Sequence, residues 1–379
     1  MLDTYSQMIA IKSISPESGG EGEGKRADFL ERLLKSWGLK PKRYDYTDGH
    51  KTKRSNIVVK HGYKKRTLWI LAHIDTVSIG DAKLWKSDPF KMVVKDGKAY
   101  GRGTQDNGQG VITGLYALKE LLKRKDLKYN YGLVLAADEE NGSAYGIQKL
   151  LNEKIFEKGD MFIVPDSGNP KGSHVEIAEK SILWLKFTIT GRQVHASIPR
   201  MGINAFMEGA RFGLETCEFL QRKYGGRESP FESPSTFVMT KHEKNLDSTN
   251  IIPGKEVFYM DCRILPKYNL SKVMGDIKRL SKKCKAKVDI EIVQREDAPK
   301  PTRSDAEIVR LLKGTLKRKL NINAQLIGIG GGTIAAYLRK AGYGAVVWGI
   351  EEDTAHQPNE YAKISNIEKM IGVFTGLFE

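Results

Sequence analysis

The sequence predicts an α/β protein: a mostly parallel sheet sandwiched by helices, with an inserted ferredoxin-like βαββαβ module. Strand-like apolar runs alternate with helical patterns as far as Asp166, and the same rhythm returns near the end of the chain. Between Ile182 and Val293 the order changes to strand, helix, strand, strand, helix, strand. Acidic residues and histidines stand directly after several of the apolar runs of the first rhythm. In a parallel sheet that is where strands end and chemistry begins.

The elements follow in order. From Lys25 to Trp37 the apolar residues Phe29, Leu30, Leu33, Leu34 and Trp37 recur at helical spacing, and Gly38 is placed to end that helix. The runs NIVVK, TLWILAH, YGLVLAA and MFIVP read as buried strands, with helices over Gly110 to Leu122 and Tyr145 to Leu151. The inserted module is expected to comprise strand Ile182 to Thr190, helix Ala205 to Leu220, strands Thr236 to Thr240 and Glu256 to Leu265, helix Leu270 to Leu280 and strand Val288 to Val293. The segment QREDAPKPTR returns the chain to the first domain, and AVVWGI is its last strand. Residues 1–180 and 295–379 are therefore expected to form one discontinuous catalytic domain, and residues 181–294 a lid. Gly225 to Ser235 (GGRESPFESPS) is the most linker-like loop.

With 379 residues, 40% of them hydrophobic, the chain is long enough for more than one core. It has no run of about 18 apolar residues, and its N-terminus lacks the basic start and apolar block of a secretory signal. A cytoplasmic protein with no membrane partner is expected. Cys217, Cys262 and Cys284 are odd in number and lie outside any CxxC spacing, which disfavours both a disulfide framework and a thiolate metal site. The net charge of +16 is spread over many predicted helices and interleaved with Glu. No nucleic-acid motif accompanies it, so no specific nucleic-acid partner is expected.

The chemistry-bearing residues sit at strand ends. His73 and Asp75 close the run TLWILAHID, and residues two apart on a strand project to the same side, so one can bind a metal while the other orients it. Asp106 lies in the glycine-rich segment YGRGTQDNGQG, where a carboxylate can bridge two cations or simply cap a helix. Asp138, Glu139 and Glu140 follow YGLVLAA directly; adjacent acids repel, and a cation would relieve them. Asp166 ends MFIVP, and His356 follows AVVWGI within EEDTAHQPNEY. His73, Asp106, Glu140, Asp166 and His356 together offer two imidazoles and three carboxylates on one rim, enough for two zinc ions sharing a bridging carboxylate. Glu139, beside a ligand but itself free, can take a proton from metal-bound water.

The motifs LAHIDTV, YGRGTQDNGQG, ADEENGS, VPDSG, RQVHASIP, DCRILP, GGGT and TAHQPNEY, in this order, resemble the dinuclear zinc aminoacylase and desuccinylase family. That family includes acetylornithine deacetylase, succinyl-diaminopimelate desuccinylase and bacterial glutamate carboxypeptidase, and the chain is most similar to an archaeal branch of it. The resemblance covers essentially the whole chain and implies a zinc-exopeptidase-like catalytic domain with a lid that also dimerises. It implies that His73 and Asp166 bind one metal, Glu140 and His356 the other, that Asp106 bridges them and that Asp75 orients His73. Two divalent ions per subunit are implied, zinc foremost, with cobalt or manganese accepted by the same ligands.

By the same resemblance Glu139 is the general base that activates the bridging water and delivers its proton to the leaving amine, and His195, whose counterpart in dimeric relatives reaches the partner subunit's active site, polarises the scissile carbonyl. Asn250 in STNIIPG and Arg263 in DCRILP hold a substrate carboxylate. The turn Gly330 to Thr333, with Gly331 and Gly332, receives the opposite end of the substrate through its backbone amides. The implied reaction is hydrolysis of the amide bond of an N-acyl amino acid, with a dipeptidase or carboxypeptidase as the alternative. A small-molecule substrate and a homodimer through the lid are the implied partners. At Asn107, Gly108 and Gln109 the chain departs from many relatives, which carry other residues after the bridging Asp.

Overall fold

The computed structural model describes residues 1–379. The chain forms two compact units, one of Met1–Ile177, Pro301–Leu326 and Thr333–Glu379, the other of Ala178–Lys300 and Ile327–Gly332. The glycine-rich segment 327–332 thus belongs to the second unit, whereas the sequence reading assigned everything from residue 295 onward to the first.

The first unit is built on an eight-stranded sheet, whose last two strands also include residues 178–179 and 327–329 of the second unit. Its strands run in the order Lys42–Thr47, Lys53–His61, Asn130–Ala136, Thr67–His73, Met161–Asn169, Gly344–Ile350, His174–Glu179, Gln325–Ile329. The four strands from Asn130–Ala136 to Gly344–Ile350 pair in parallel. Antiparallel pairs flank them on both sides. Thr67–His73 and Asn130–Ala136 are buried at every position, as expected of strands covered on both faces, and this explains their unbroken apolar runs.

Side chains alternate between two cores. Leu68, Ile70 and Ala72 join Leu115, Leu118 and Phe374 on one face, while Trp69 and Leu71 join Phe162, Ile334 and Leu338 on the other. Trp69 lies opposite Gly132 on the neighbouring strand, and a Cβ on Gly132 would fall 2.2 Å from the indole. Glycine there is what lets the ring lie across the sheet. The helix Gly24–Ser36 ends as the sequence predicts, with Gly38 in the left-handed region at φ 80°.

The second unit has a four-stranded antiparallel sheet in the order Thr236–His242, Lys255–Ile264, Ser181–Thr190, Lys287–Glu296. With helices Ala205–Tyr224 and Leu270–Ser281 this is the predicted βαββαβ module. Its core centres on Phe187, which stacks on Phe258 at 4.9 Å between ring centroids and meets Phe212 edge-on at 5.5 Å.

Three features differ from the sequence reading. Leu2–Ala10 is a helix that buries Tyr5, Met8 and Ile9, a helical spacing present in the sequence but short. Val93–Lys95, Lys98–Tyr100 and Tyr361–Lys363 form a small separate sheet, with strands too short to show a period. Gly225 to Ser235 is not a linker. Phe231 is buried there, Gly328 N–H donates to the Pro230 carbonyl at 3.1 Å, and Lys180 Nζ donates to Ser233 Oγ and the Pro234 carbonyl at 2.8 and 2.7 Å. Its Gly, Pro and Ser residues signal irregular backbone, but buried Phe231 and Ser235 and the lysines Lys180 and Lys267 help to fasten it down. No helix is long and apolar enough to cross a membrane.

The aromatic cluster gives a test of the second unit. Phe187→Ala removes a fully buried ring, so urea unfolding is expected to show a loss of about 3–5 kcal/mol, and a loss below about 1 kcal/mol would mean that the cluster does not hold this unit together.

Candidate metal centre

Because four parallel strands lie side by side, their carboxyl ends share one edge of the sheet, and the predicted residues collect there. His73 is the last residue of its strand and Asp166 lies within the next one. Glu139 and Glu140 lie in the turn after Asn130–Ala136, and His356 lies beyond the end of Gly344–Ile350.

Asp106 stands between the two histidines. Its Oδ1 is 2.8 Å from His73 Nε2, and its Oδ2 is 2.8 Å from His356 Nε2. His73 Nε2 is also 3.4 Å from Asp166 Oδ1, and His356 Nε2 is 3.2 Å from Glu140 Oε2. Two groups result, His73, Asp106 and Asp166, and Asp106, Glu140 and His356, each with its ligand atoms within 4.8 Å of one another. They share the Asp106 carboxylate.

The electrostatics fit divalent cations. Burial alone would lower the His73 pKa, yet Asp166, Asp106 and Asp75 hold it well above the ordinary value. Hydrogen bonds to Asp106 and Glu140 push His356 up to about 10. Burial, followed by the charge of Asp106, raises Glu140 to about 7, and burial likewise raises Asp166. The pocket therefore draws protons onto groups that would lose them elsewhere, the response of crowded acids short of positive charge. Divalent cations would provide that charge, and the imidazole and carboxylate donors are of a type that zinc accepts.

Glu139 stands apart. Burial and then the neighbouring Asp166 raise its pKa well above the carboxylate range, and no protein donor meets its carboxyl. Its backbone, by contrast, is fixed. Asp75, fully buried, accepts N–H bonds from Glu139 and Glu140, both at 3.1 Å, while its Oδ1 lies 3.5 Å from His73 Nδ1. Asp75 thus clamps the acidic turn at least as firmly as it orients His73.

The structure divides the three adjacent acids. Asp138, with a left-handed φ of 64°, turns away from the centre and meets Arg54 Nη1 at 3.0 Å and the Tyr145 N–H at 2.9 Å. The cation beside this acid is a buried guanidinium, where the sequence leads one to expect a bound metal ion. Arg54 also meets Glu23, at 3.0 Å. Asn107 was another residue the sequence left without a role: its carboxamide donates to Asp166 Oδ1, and the Asp106–Asn107 peptide is cis.

A model of peptidase family M20/M25/M40 matches residues 69–379. The chain belongs to this family. Over its full length it is 40% identical to an uncharacterized metallohydrolase of Methanococcus maripaludis, of which it covers 98%. It is 26% identical to succinyl-diaminopimelate desuccinylase of Sulfurovum sp., with 99% of this chain and 97% of the relative covered. A tripeptidase of Staphylococcus aureus has the same fold, with a TM-score of 0.80 at 19% identity over 100% of this chain and 96% of that one. As an M20 member the chain is a metal-dependent hydrolase acting on non-cyclic C–N bonds, and the family implies divalent metal ions.

The remaining predicted residues lie chiefly in the second unit. His195 and Asn250 are brought together there, since Ala196 N–H donates to the Asn250 carbonyl at 2.9 Å and His195 pairs with Ile251. The Ser197 N–H donates to His195 Nδ1 at 3.1 Å, which makes that nitrogen an acceptor and leaves the proton of a neutral ring on Nε2. Arg263 meets Asp261 through Nε and Nη2 at 2.8 and 2.9 Å and the Gly330 carbonyl through Nη1 at 3.0 Å, so it steadies the glycine turn. N–H capacity remains on both Nη atoms. Gly331 and Gly332 belong to the same unit, and Thr333 caps the following helix, its hydroxyl accepting from Ala335 N–H at 3.1 Å.

Arg54→Met would leave Glu23 and Asp138 buried without their cation. Denaturant unfolding is expected to show a loss of about 3–5 kcal/mol, and a change under about 1 kcal/mol would mean that the guanidinium does not support the acidic turn.

Proposed function

We propose that this M20 hydrolase removes the acyl group from an N-acyl amino acid by hydrolysing its amide bond, as deacylases and desuccinylases do. The observation that carries the reading is the pair of three-ligand groups sharing Asp106, with Glu139 beside them and unpaired. Similarity to a desuccinylase over nearly the full length of both chains supports an acyl substrate. His73 and Asp166 would hold one ion, Glu140 and His356 the other, and Asp106 both. Zinc at these positions would act as a Lewis acid, lowering the pKa of water and drawing charge from the amide carbonyl.

The side chains do the rest. Glu139 accepts a proton from the attacking water at its carboxylate oxygen and passes it to the leaving amine nitrogen. Asp75 keeps the Glu139–Glu140 turn and His73 in place. His195, with its proton on Nε2, donates to the scissile carbonyl oxygen. Asn250 and the unused donors of Arg263 bind the substrate carboxylate, and the backbone at Gly331, Gly332 and Thr333 receives its other end. The second unit serves as lid and as the contact of a homodimer. The three free thiols fit a cytoplasmic location.

Two experiments test the reading. Purified protein supplied with zinc or cobalt is expected to hydrolyse members of a panel of N-acyl amino acids that includes acetylornithine and succinyl-diaminopimelate, and cleavage of dipeptides alone would overturn the deacylase assignment. Glu139→Gln is expected to keep wild-type metal content while turnover falls by about 10²–10⁴, and unchanged turnover would remove Glu139 from the mechanism.

A further inference from the structure

We infer that Glu360 is a positioning residue that sets the spacing between Asp106 and His356 and thereby controls occupancy of the Glu140–His356 half of the centre. The inference rests on the ligand assignment proposed above. It begins with a register. Tyr361 pairs with Tyr100 in the small antiparallel sheet, and Gly101 N–H donates to the Glu360 carbonyl at 3.0 Å, which continues the pairing by one residue. Glu360 is thereby brought to the start of the loop that carries Asp106, and it is fully buried.

Its carboxylate gathers that loop. Oε1 accepts from the Gln105 and Asp106 N–H groups at 2.8 and 3.0 Å, and Oε2 accepts from Gly103 N–H at 3.1 Å and Arg102 Nη1 at 2.6 Å. Asp106 has non-helical dihedrals here, φ −108° and ψ 99°, so its N–H depends on a side-chain acceptor. Arg102 in turn offers Nη2 to the His356 carbonyl at 3.4 Å. One buried ion pair therefore touches the backbone of both loop-borne ligands. A second link runs parallel to it, since Gln105 Oε1 accepts from the Thr354 N–H at 3.1 Å.

The two halves of the centre depend on this pair unequally. His73 ends a core strand and Asp166 lies within another, so the sheet fixes the backbone of both, and the loop reaches this pair only through Asp106 and through Asn107, which donates to Asp166 Oδ1. In the other half only Glu140 is held independently, through Asp75. Asp106 and His356 both hang on Glu360 and Arg102. Loss of the Glu360 charge would therefore weaken one ion far more than the other, an asymmetry that a purely stabilising ion pair would not produce.

Cobalt titration of the chelator-stripped full chain, followed by visible absorbance and calorimetry, tests this without reference to turnover. The wild type is expected to bind in two steps. In Glu360→Gln, whose amide cannot accept from all these donors, the weaker-held equivalent is expected to lose about tenfold or more in affinity while the other changes by less than about threefold. Arg102→Lys, which keeps a cation beside Glu360 but loses the fork to His356, is expected to show the same asymmetry in smaller measure, and it decides the matter if Glu360→Gln does not fold. Two unaltered steps, or two steps weakened alike, would overturn the role of Glu360. A wild-type chain that takes up no cobalt would overturn the ligand assignment beneath it.

Discussion

The Asp106 carboxylate offers one oxygen to each of two imidazoles, both at 2.8 Å, and the arrangement of the centre depends on that sharing. A single carboxylate can serve two histidines only if both are brought to it from different parts of the chain and its own backbone is fixed. The central parallel strands bring His73 and Asp166, the turn clamped by Asp75 brings Glu140, and the buried Glu360 fixes the Asp106 loop. Remove the shared carboxylate and two ligand groups become four residues with no common member.

Such crowding of acids is costly in the free protein. Glu139, Glu140 and Asp166 are all driven toward protonation by burial, and both imidazoles of the centre are driven toward protonation by the acids around them. The fold sustains this because the sheet beneath is packed on both faces, and because the acid that does not face the centre, Asp138, is paired with Arg54, whose charge opposes the upward pull of burial. Divalent cations would relieve what remains, which couples their binding to the stability of the first unit. The metal-binding candidates lie in the first unit, and most of the residues assigned to substrate lie in the second. The fold is shared with a tripeptidase, while a relative at 26% identity is named a desuccinylase, so the fold alone does not name a substrate.

Much of this was legible in the sequence because it is local. An apolar run ending in His73 and Asp75, or MFIVP ending in Asp166, states both a buried strand and what stands at its end, and the βαββαβ order of the module can be read from periodicity alone. What was not legible depends on contacts between distant segments. Nothing near Asp138 announces that Arg54 will pair with it, and nothing near His356 announces that Glu360, four residues on, will gather the N–H groups of a loop far back in the chain. The strand that places Glu360 is three residues long, too short for any period. Gly225 to Ser235 misled for the opposite reason: its composition describes its backbone correctly, while its attachment rests on the buried side chains of Phe231 and Ser235 and on donors outside the loop, among them Lys180 and Lys267.

The most direct test of the shared carboxylate is anomalous X-ray diffraction at the zinc absorption edge from crystals grown with zinc. Two anomalous peaks are predicted, one among His73, Asp106 and Asp166 and one among Asp106, Glu140 and His356, with Asp106 in contact with both. A single peak, or peaks away from these side chains, would contradict the account.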